Sequence, residues 1–109
     1  MALQLRALKL EDGNAPFDDW FLGLEAQAAA KVQVALARIE AGNLANARWF
    51  RGMGEYKIDW GPGDRIDLAK DGEKIILLLG GGTKKRQQKD IDRALEDWAH
   101  YKRRKKEKR

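Results

Sequence analysis

The 109-residue chain contains no cysteine and a single histidine, His100. Without thiols it has no disulfide framework, no thiolate zinc site and no cysteine nucleophile, so the fold must rest on its core. The lone histidine sits beside a strongly basic C-terminus, where a surface position is expected, and candidate general acids and bases are few. Long hydrophobic runs are also missing: the longest, Ile75 to Leu79, is far below the roughly 20 residues of a membrane helix. The N-terminal MALQLRALKL has neither a signal-peptide apolar region nor a cleavage site. A soluble, cytoplasmic protein with no membrane partner, no metal and no cofactor is the expectation.

Charge of one sign is scarce over most of the chain. Lys and Arg number 22 against 17 Asp and Glu, a formal net charge of +5. Residues 102–109 (KRRKKEKR) hold seven of the cations and one acid, so residues 1–101 are close to neutral. A whole-surface polyanion binder is therefore not indicated, and the basic excess belongs to one end. With 43% hydrophobic residues and four Trp, the chain has the apolar mass for one domain. The expected organisation is a single domain over 1–101 and a basic tail over 102–109. That tail is either solvated or a continuation of the last helix, where cations suit the macrodipole.

Leu3 to Leu10 alternates apolar and mostly polar residues, which predicts a strand with one buried face. Asn14 and Pro16 then open a short helix carrying Phe17, Trp20, Phe21 and Leu24 on one side. The Ala-rich stretch from Glu25 predicts a longer helix with Ala28, Val32, Ala35, Leu36 and Ile39 on one face, stopped at Gly42. Gly54 to Trp60 alternates again, Gly61-Pro62-Gly63 turns, and Asp64 to Ala69 continues as a strand. Asp71-Gly72 marks a hairpin, Lys74 to Leu79 a strand buried on both faces, and Gly80-Gly81-Gly82 a break out of the sheet. Ile91, Leu95, Trp98 and Tyr101 are spaced for the apolar stripe of a last helix. The order strand, helix, helix, three strands, helix predicts an α+β fold with helices packed on an antiparallel sheet.

The glycine run followed by Thr83 and Lys84 lacks the spacing of a nucleotide phosphate loop. Free amides at a helix start beside Lys84, Lys85 and Arg86 would nonetheless suit a phosphate of any polymer. Further cations fall on neighbouring sheet segments: Arg48 and Arg51 ahead of the second strand, Lys57 within it, and Arg65 in the third. A meander would bring Lys57 alongside Arg65. Such a cluster is either the polar side of a half-buried sheet or a groove that binds or cleaves RNA. Attack of a ribose 2′-OH on the adjacent phosphate needs cations around that phosphate, which Lys and Arg supply without metal.

In order along the chain, PFDDWFLGL, AKVQVALARIEAGN, GEYKIDWGPGDR and IILLLGGGTKKRQQKDIDRA resemble the addiction-module killer protein family, the HigB-like branch of the RelE/ParE toxin superfamily. The resemblance spans about Phe17 to Ala94, and its most specific pieces are Glu55 to Arg65 and a stretch matched by Leu78, Leu79, Gly81, Gly82, Lys84, Gln87, Asp90, Ile91 and Ala94. It implies a RelE/ParE-like toxin whose curved antiparallel sheet carries a basic groove. It also implies a cognate antitoxin encoded alongside, a helix-turn-helix protein. RelE-like members act in the ribosome on mRNA, and ParE-like members poison gyrase.

Transferred onto this chain, the family's sheet arginine falls on Lys57, the arginine after Gly-Pro-Gly on Arg65, and the lysine after the glycines on Lys84. The expected role of the three is catalytic, in a metal-independent, ribosome-dependent mRNA endoribonuclease. Arg48, Arg51, Lys85, Arg86, Lys102, Arg103 and Arg104 are the expected RNA contacts. Two tyrosines usual in the family are replaced here by Asp64 and Asp67, which removes stacking groups and adds carboxylates beside Arg65. The contrasting expectation is a gyrase-directed or non-catalytic protein that binds its antitoxin without cutting RNA.

Overall fold

The computed structural model describes residues 2–61, 63–83, 85 and 88–107. Eight elements follow one another: β1 (Gln4–Ala7), α1 (Pro16–Leu22), α2 (Ala26–Glu40), β2 (Ala47–Phe50), β3 (Met53–Lys57), β4 (Arg65–Asp71), β5 (Ile75–Gly82) and α3 (Gln88–Glu107). The fold is α+β, with a five-stranded sheet in the order β1-β5-β4-β3-β2. No helix among the described residues is long and apolar enough to cross a membrane.

The sheet is mixed rather than antiparallel. β2 to β5 form an antiparallel meander, but β1 runs parallel to β5, with Gln4 opposite Ile75 and Ala7 opposite Leu78. Alternation in the sequence sets which residues share a face, and it carries no information on strand direction. The long helical connection after β1 is what makes a parallel pairing reachable.

Alternate side chains of the central strands enter two separate cores. Tyr56, Ile66, Leu68, Ile76 and Leu78 pack against Phe17 of α1 and Val32, Ala35 and Ile39 of α2. The opposite face offers Met53, Ala69, Leu77 and Leu79 to Ala94 and Trp98 of α3. β5 is buried on both faces, as its unbroken apolar run requires. Trp98 also donates its indole N–H to the Gly52 carbonyl at 3.1 Å, satisfying the one polar atom of a buried ring.

Three local expectations are corrected. First, the start of α1 is capped by Ala15 without a side-chain bond; Asn14 instead folds back onto Asp12, its backbone N–H donating to Oδ1 at 2.9 Å. Second, an additional strand, β2, precedes β3. The two join through a two-residue turn in which Arg51 (φ 51°) and Gly52 (φ 86°) are both left-handed. That geometry matches the right-handed twist of a hairpin, but Arg is an unusual first turn residue, so the sequence signal is weak. Third, Gly80, Gly81 and Gly82 remain in β5, opposite Asp67, Ile66 and Arg65. A Cβ on Gly81 would collide with the Trp20 indole, and one on Gly80 would stand 3.7 Å from Asp67 Oδ2 and 3.8 Å from Arg93 Nη2. Bare backbone there lets α1 close on one face and polar side chains lie on the other.

The basic C-terminal segment is helical through Glu107. Arg104 Nη2 donates to the Lys9 carbonyl at 2.9 Å and Lys105 Nζ to Asp71 Oδ1 at 2.6 Å. Of the two states open to residues 102–109, the described part takes the helical one and is tied to the β1–α1 connection and the β4–β5 hairpin.

Candidate functional site

The antiparallel register of β3 and β4 places Lys57 directly opposite Arg65, and Glu55 directly opposite Asp67. Directly opposed residues share a face, so two cations and two carboxylates form one block on the α3 side of the sheet. β2 adds Arg48 opposite Glu55, and β5 adds the bare backbone of Gly80 and Gly82. The juxtaposition of Lys57 and Arg65 expected from the meander is present.

Burial decides how these charges behave. The Glu55 side chain is 6% exposed and that of Arg65 23%, and Arg65 Nη1 donates to Glu55 Oε1 at 2.7 Å. Arg48, 77% exposed, reaches the same carboxylate oxygen only at 3.9 Å. Glu55 thus ties down the arginine best placed to hold a phosphate, while Lys57 remains exposed. Asp67 is buried beside them, inside the block rather than on a surface facing solvent. Asp64 is buried as well, and desolvation raises its carboxyl above the ordinary aspartate range.

Of the remaining expected RNA contacts, the described ones lie on the β2–β3 turn, between β5 and α3, and on α3 itself. Arg51 leaves the β2–β3 turn and pairs with Asp92 of α3 at 3.6 Å. Lys102 lies 4.9 Å from the Trp98 ring centroid, and Arg103 Nη2 lies 3.0 Å from His100 Nδ1. Lys85 is exposed between β5 and α3, whereas Lys84 and Arg86 lie outside the described residues. The aromatic pair between Arg48 and Arg51 splits across β2. Phe50 lies under the Arg48 guanidinium at 5.2 Å; Trp49 covers Gly54 on the other face, with Lys70 at 4.6 Å.

Sequence reasoning did not name Glu55, Asp71, Arg93 or Tyr101 as site residues, reading Glu55 as a determinant of the fold and Tyr101 as part of the α3 stripe. Glu55 was visible as a face-mate of Lys57, but the hydrogen bond to Arg65 is diagonal and depends on register. Asp71 was visible only as a turn former. It accepts from the Tyr101 hydroxyl at 2.8 Å as well as from Lys105. The Lys105 hydrogen bond, with that from Tyr101, holds the Asp71 carboxyl below its usual range despite desolvation. Burial, reinforced by the bond to Asp71, raises the Tyr101 phenol. Among the described residues no group of three or more His, Asp and Glu is placed to hold a metal ion.

No protein-family model matches the chain. An uncharacterized protein of Haemophilus influenzae is 35% identical to it over 80 residues, which cover 72% of this chain and 81% of that protein.

Proposed function

We propose that this chain, which belongs to one family with that Haemophilus influenzae protein, is a toxin of the RelE/ParE superfamily, HigB-like branch, in a type II toxin–antitoxin pair. Its activity is ribosome-dependent cleavage of mRNA, neutralised by an adjacently encoded helix-turn-helix antitoxin in the cytoplasm. The observation that carries the reading is the placement of Lys57 opposite Arg65 on adjacent strands. Two cations at one register level are what a phosphate passing through a pentacovalent transition state requires, with Lys84 the third expected member. Induced expression without antitoxin then arrests growth and yields cut transcripts, and Arg65→Ala restores both growth and intact transcripts. Growth arrest with transcripts intact refutes cleavage.

A second reading is favoured by the 2.7 Å bond between Arg65 and the buried Glu55. An arginine already paired, beside a buried Asp67, is a structural element of the sheet rather than a phosphate ligand. On this reading the chain binds antitoxin, gyrase or RNA without chemistry, and Arg65→Ala lowers stability without changing any cleavage pattern. A supercoiling assay tests the gyrase branch.

A further inference from the structure

At the other end of the α3-covered face lies a different electrostatic environment. β1 is an edge strand, and between it and the C-terminal half of α3 runs an open groove of about 550 Å³. Its polar lining consists of Arg6, Lys9, Tyr101 and Arg104, with no carboxylate among the described lining residues. Two carboxylates flank it: Asp71, engaged by the Tyr101 hydroxyl at 2.8 Å and the Lys105 ammonium at 2.6 Å and also stabilised by the charge of Arg6, and Asp97, stabilised by the charge of Arg104. Arg6 donates to the neutral Gln4 Oε1 at 2.9 Å, which tethers the guanidinium without cancelling its charge. Arg104 is held in place by the Lys9 carbonyl at 2.9 Å, and its Nε is a buried donor with no protein acceptor.

From this arrangement we infer that the β1–α3 groove is a binding site for a phosphodiester chain, distinct from the Lys57–Arg65 block. Two guanidinium groups and an ammonium line a concavity of nucleotide size, and a planar guanidinium matches a phosphate's paired oxygens. Lys102, Arg103 and Lys106 are further exposed cations on the same helix, so a polymer with a charge at every repeat is served better than an isolated carboxylate. The inference deepens the RNA reading above by naming where the polymer docks, and it is measured by binding alone, so loss of cleavage does not decide it.

The test is fluorescence anisotropy on the full chain with labelled oligouridylate and oligothymidylate across a salt series. The variants are Arg6→Gln with Lys9→Gln, and a charge-matched control, Lys31→Gln with Lys74→Gln, whose four side chains are all exposed. The groove variant is expected to lose at least about tenfold in affinity and to flatten the log–log salt slope by about 1.4, the release expected from two single-strand phosphate contacts. The control keeps the wild-type slope. Tight binding of the ribo- or the deoxy-oligomer supports the groove and shows which polymer it takes. Equal losses in the two variants, or no binding of either oligomer by the wild type, overturn it. So does groove-dependent binding of an oligoglutamate peptide with the oligonucleotides unaffected, since the occupant is then an acidic protein segment. Should the double variant unfold, Arg6→Gln alone is expected to show about half the slope change.

Discussion

Replacing Glu55 with glutamine separates the structural role of the Lys57–Arg65 block from its binding role. The change keeps side-chain shape and removes one charge from a carboxylate that is 6% exposed and accepts from Arg65 at 2.7 Å. Removing one partner of a fully buried pair costs about 3–5 kcal/mol. Here the cost is smaller, because Arg65 is 23% exposed and rehydrates in part, and Arg48 at 77% loses almost nothing. A destabilisation of about 2 kcal/mol follows, a fall in Tm of roughly 8 °C or more for a domain this size. The binding effect has the opposite sign: Arg65 is released and the block gains one net positive charge, so affinity for single-stranded RNA at low salt rises. Thermal unfolding and anisotropy on the same preparation measure both. An unchanged Tm would show that the ion pair contributes nothing to stability. A fall in RNA affinity in step with Tm, measured well below the transition, would show that Arg65 never reaches a phosphate.

Four other substitutions test separate parts of the fold. Gly81→Ala is expected to cost about 1–3 kcal/mol because Trp20 is packed against the first core and must move. Gly54→Ala is expected to cost less, since Trp49, 2.7 Å from the new methyl, is 40% exposed and swings outward; urea unfolding ranks the two. Arg51→Asn is expected to stabilise by about 0.5 kcal/mol, the relief of a left-handed arginine exceeding a screened ion pair with Asp92, as read from the urea midpoint. Asp71 has its carboxyl lowered below 3.8 by Lys105 and Tyr101, so its contribution is complete above that unfolded value and is lost as pH falls through the folded one. Asp71→Asn is therefore expected to lower Tm at neutral pH and to match the wild type at the acid end of a Tm–pH series.

The helices, their apolar faces and the strands β3 and β4 were legible because period and turn residues coincide there. Phe17, Val32, Ala35 and Ile39 reached the core expected of them, as did Trp98. β2 was missed because Ala47–Phe50 is four residues long with an arginine at its turn, so neither length nor turn chemistry marks it. The glycine run was misplaced for a related reason. Consecutive glycines carry no periodicity, and the requirement at Gly81 comes from Trp20, a residue of α1 that is adjacent only after folding. Within the site, Lys57 beside Arg65 followed from the meander, but the capture of Arg65 by Glu55 depends on diagonal geometry and burial, which appear only with the register.

A net charge of +5 concentrated in residues 102–109 suggests a loose polyanion-binding tail, and the positions of Arg104 and Lys105 argue against that picture. Ordering two long side chains costs about 1.5–2 kcal/mol each in rotamer entropy, so cations kept only for long-range attraction gain nothing from being fixed. These two are fixed, one on a backbone carbonyl of the β1–α1 connection and one on a largely buried carboxylate. Their anchoring holds α3 against β1 and thereby builds the wall of the groove that Arg6 and Lys9 complete. The same face thus carries its cations beside buried carboxylates at the Glu55–Arg65 end, whereas at the β1 end Asp71, held by Lys105, and Asp97 lie outside a groove lined by Arg6, Lys9 and Arg104. On the proposed RNA reading, a polyanion is attracted first to the β1 groove, and chemistry at Lys57 then requires the strand to extend from there across the sheet. If the proposed cleavage holds, binding and cleavage are separable by mutation: changes at Arg6 and Lys9 are expected to alter affinity and salt dependence, whereas changes at Lys57 are expected to alter turnover at a given occupancy.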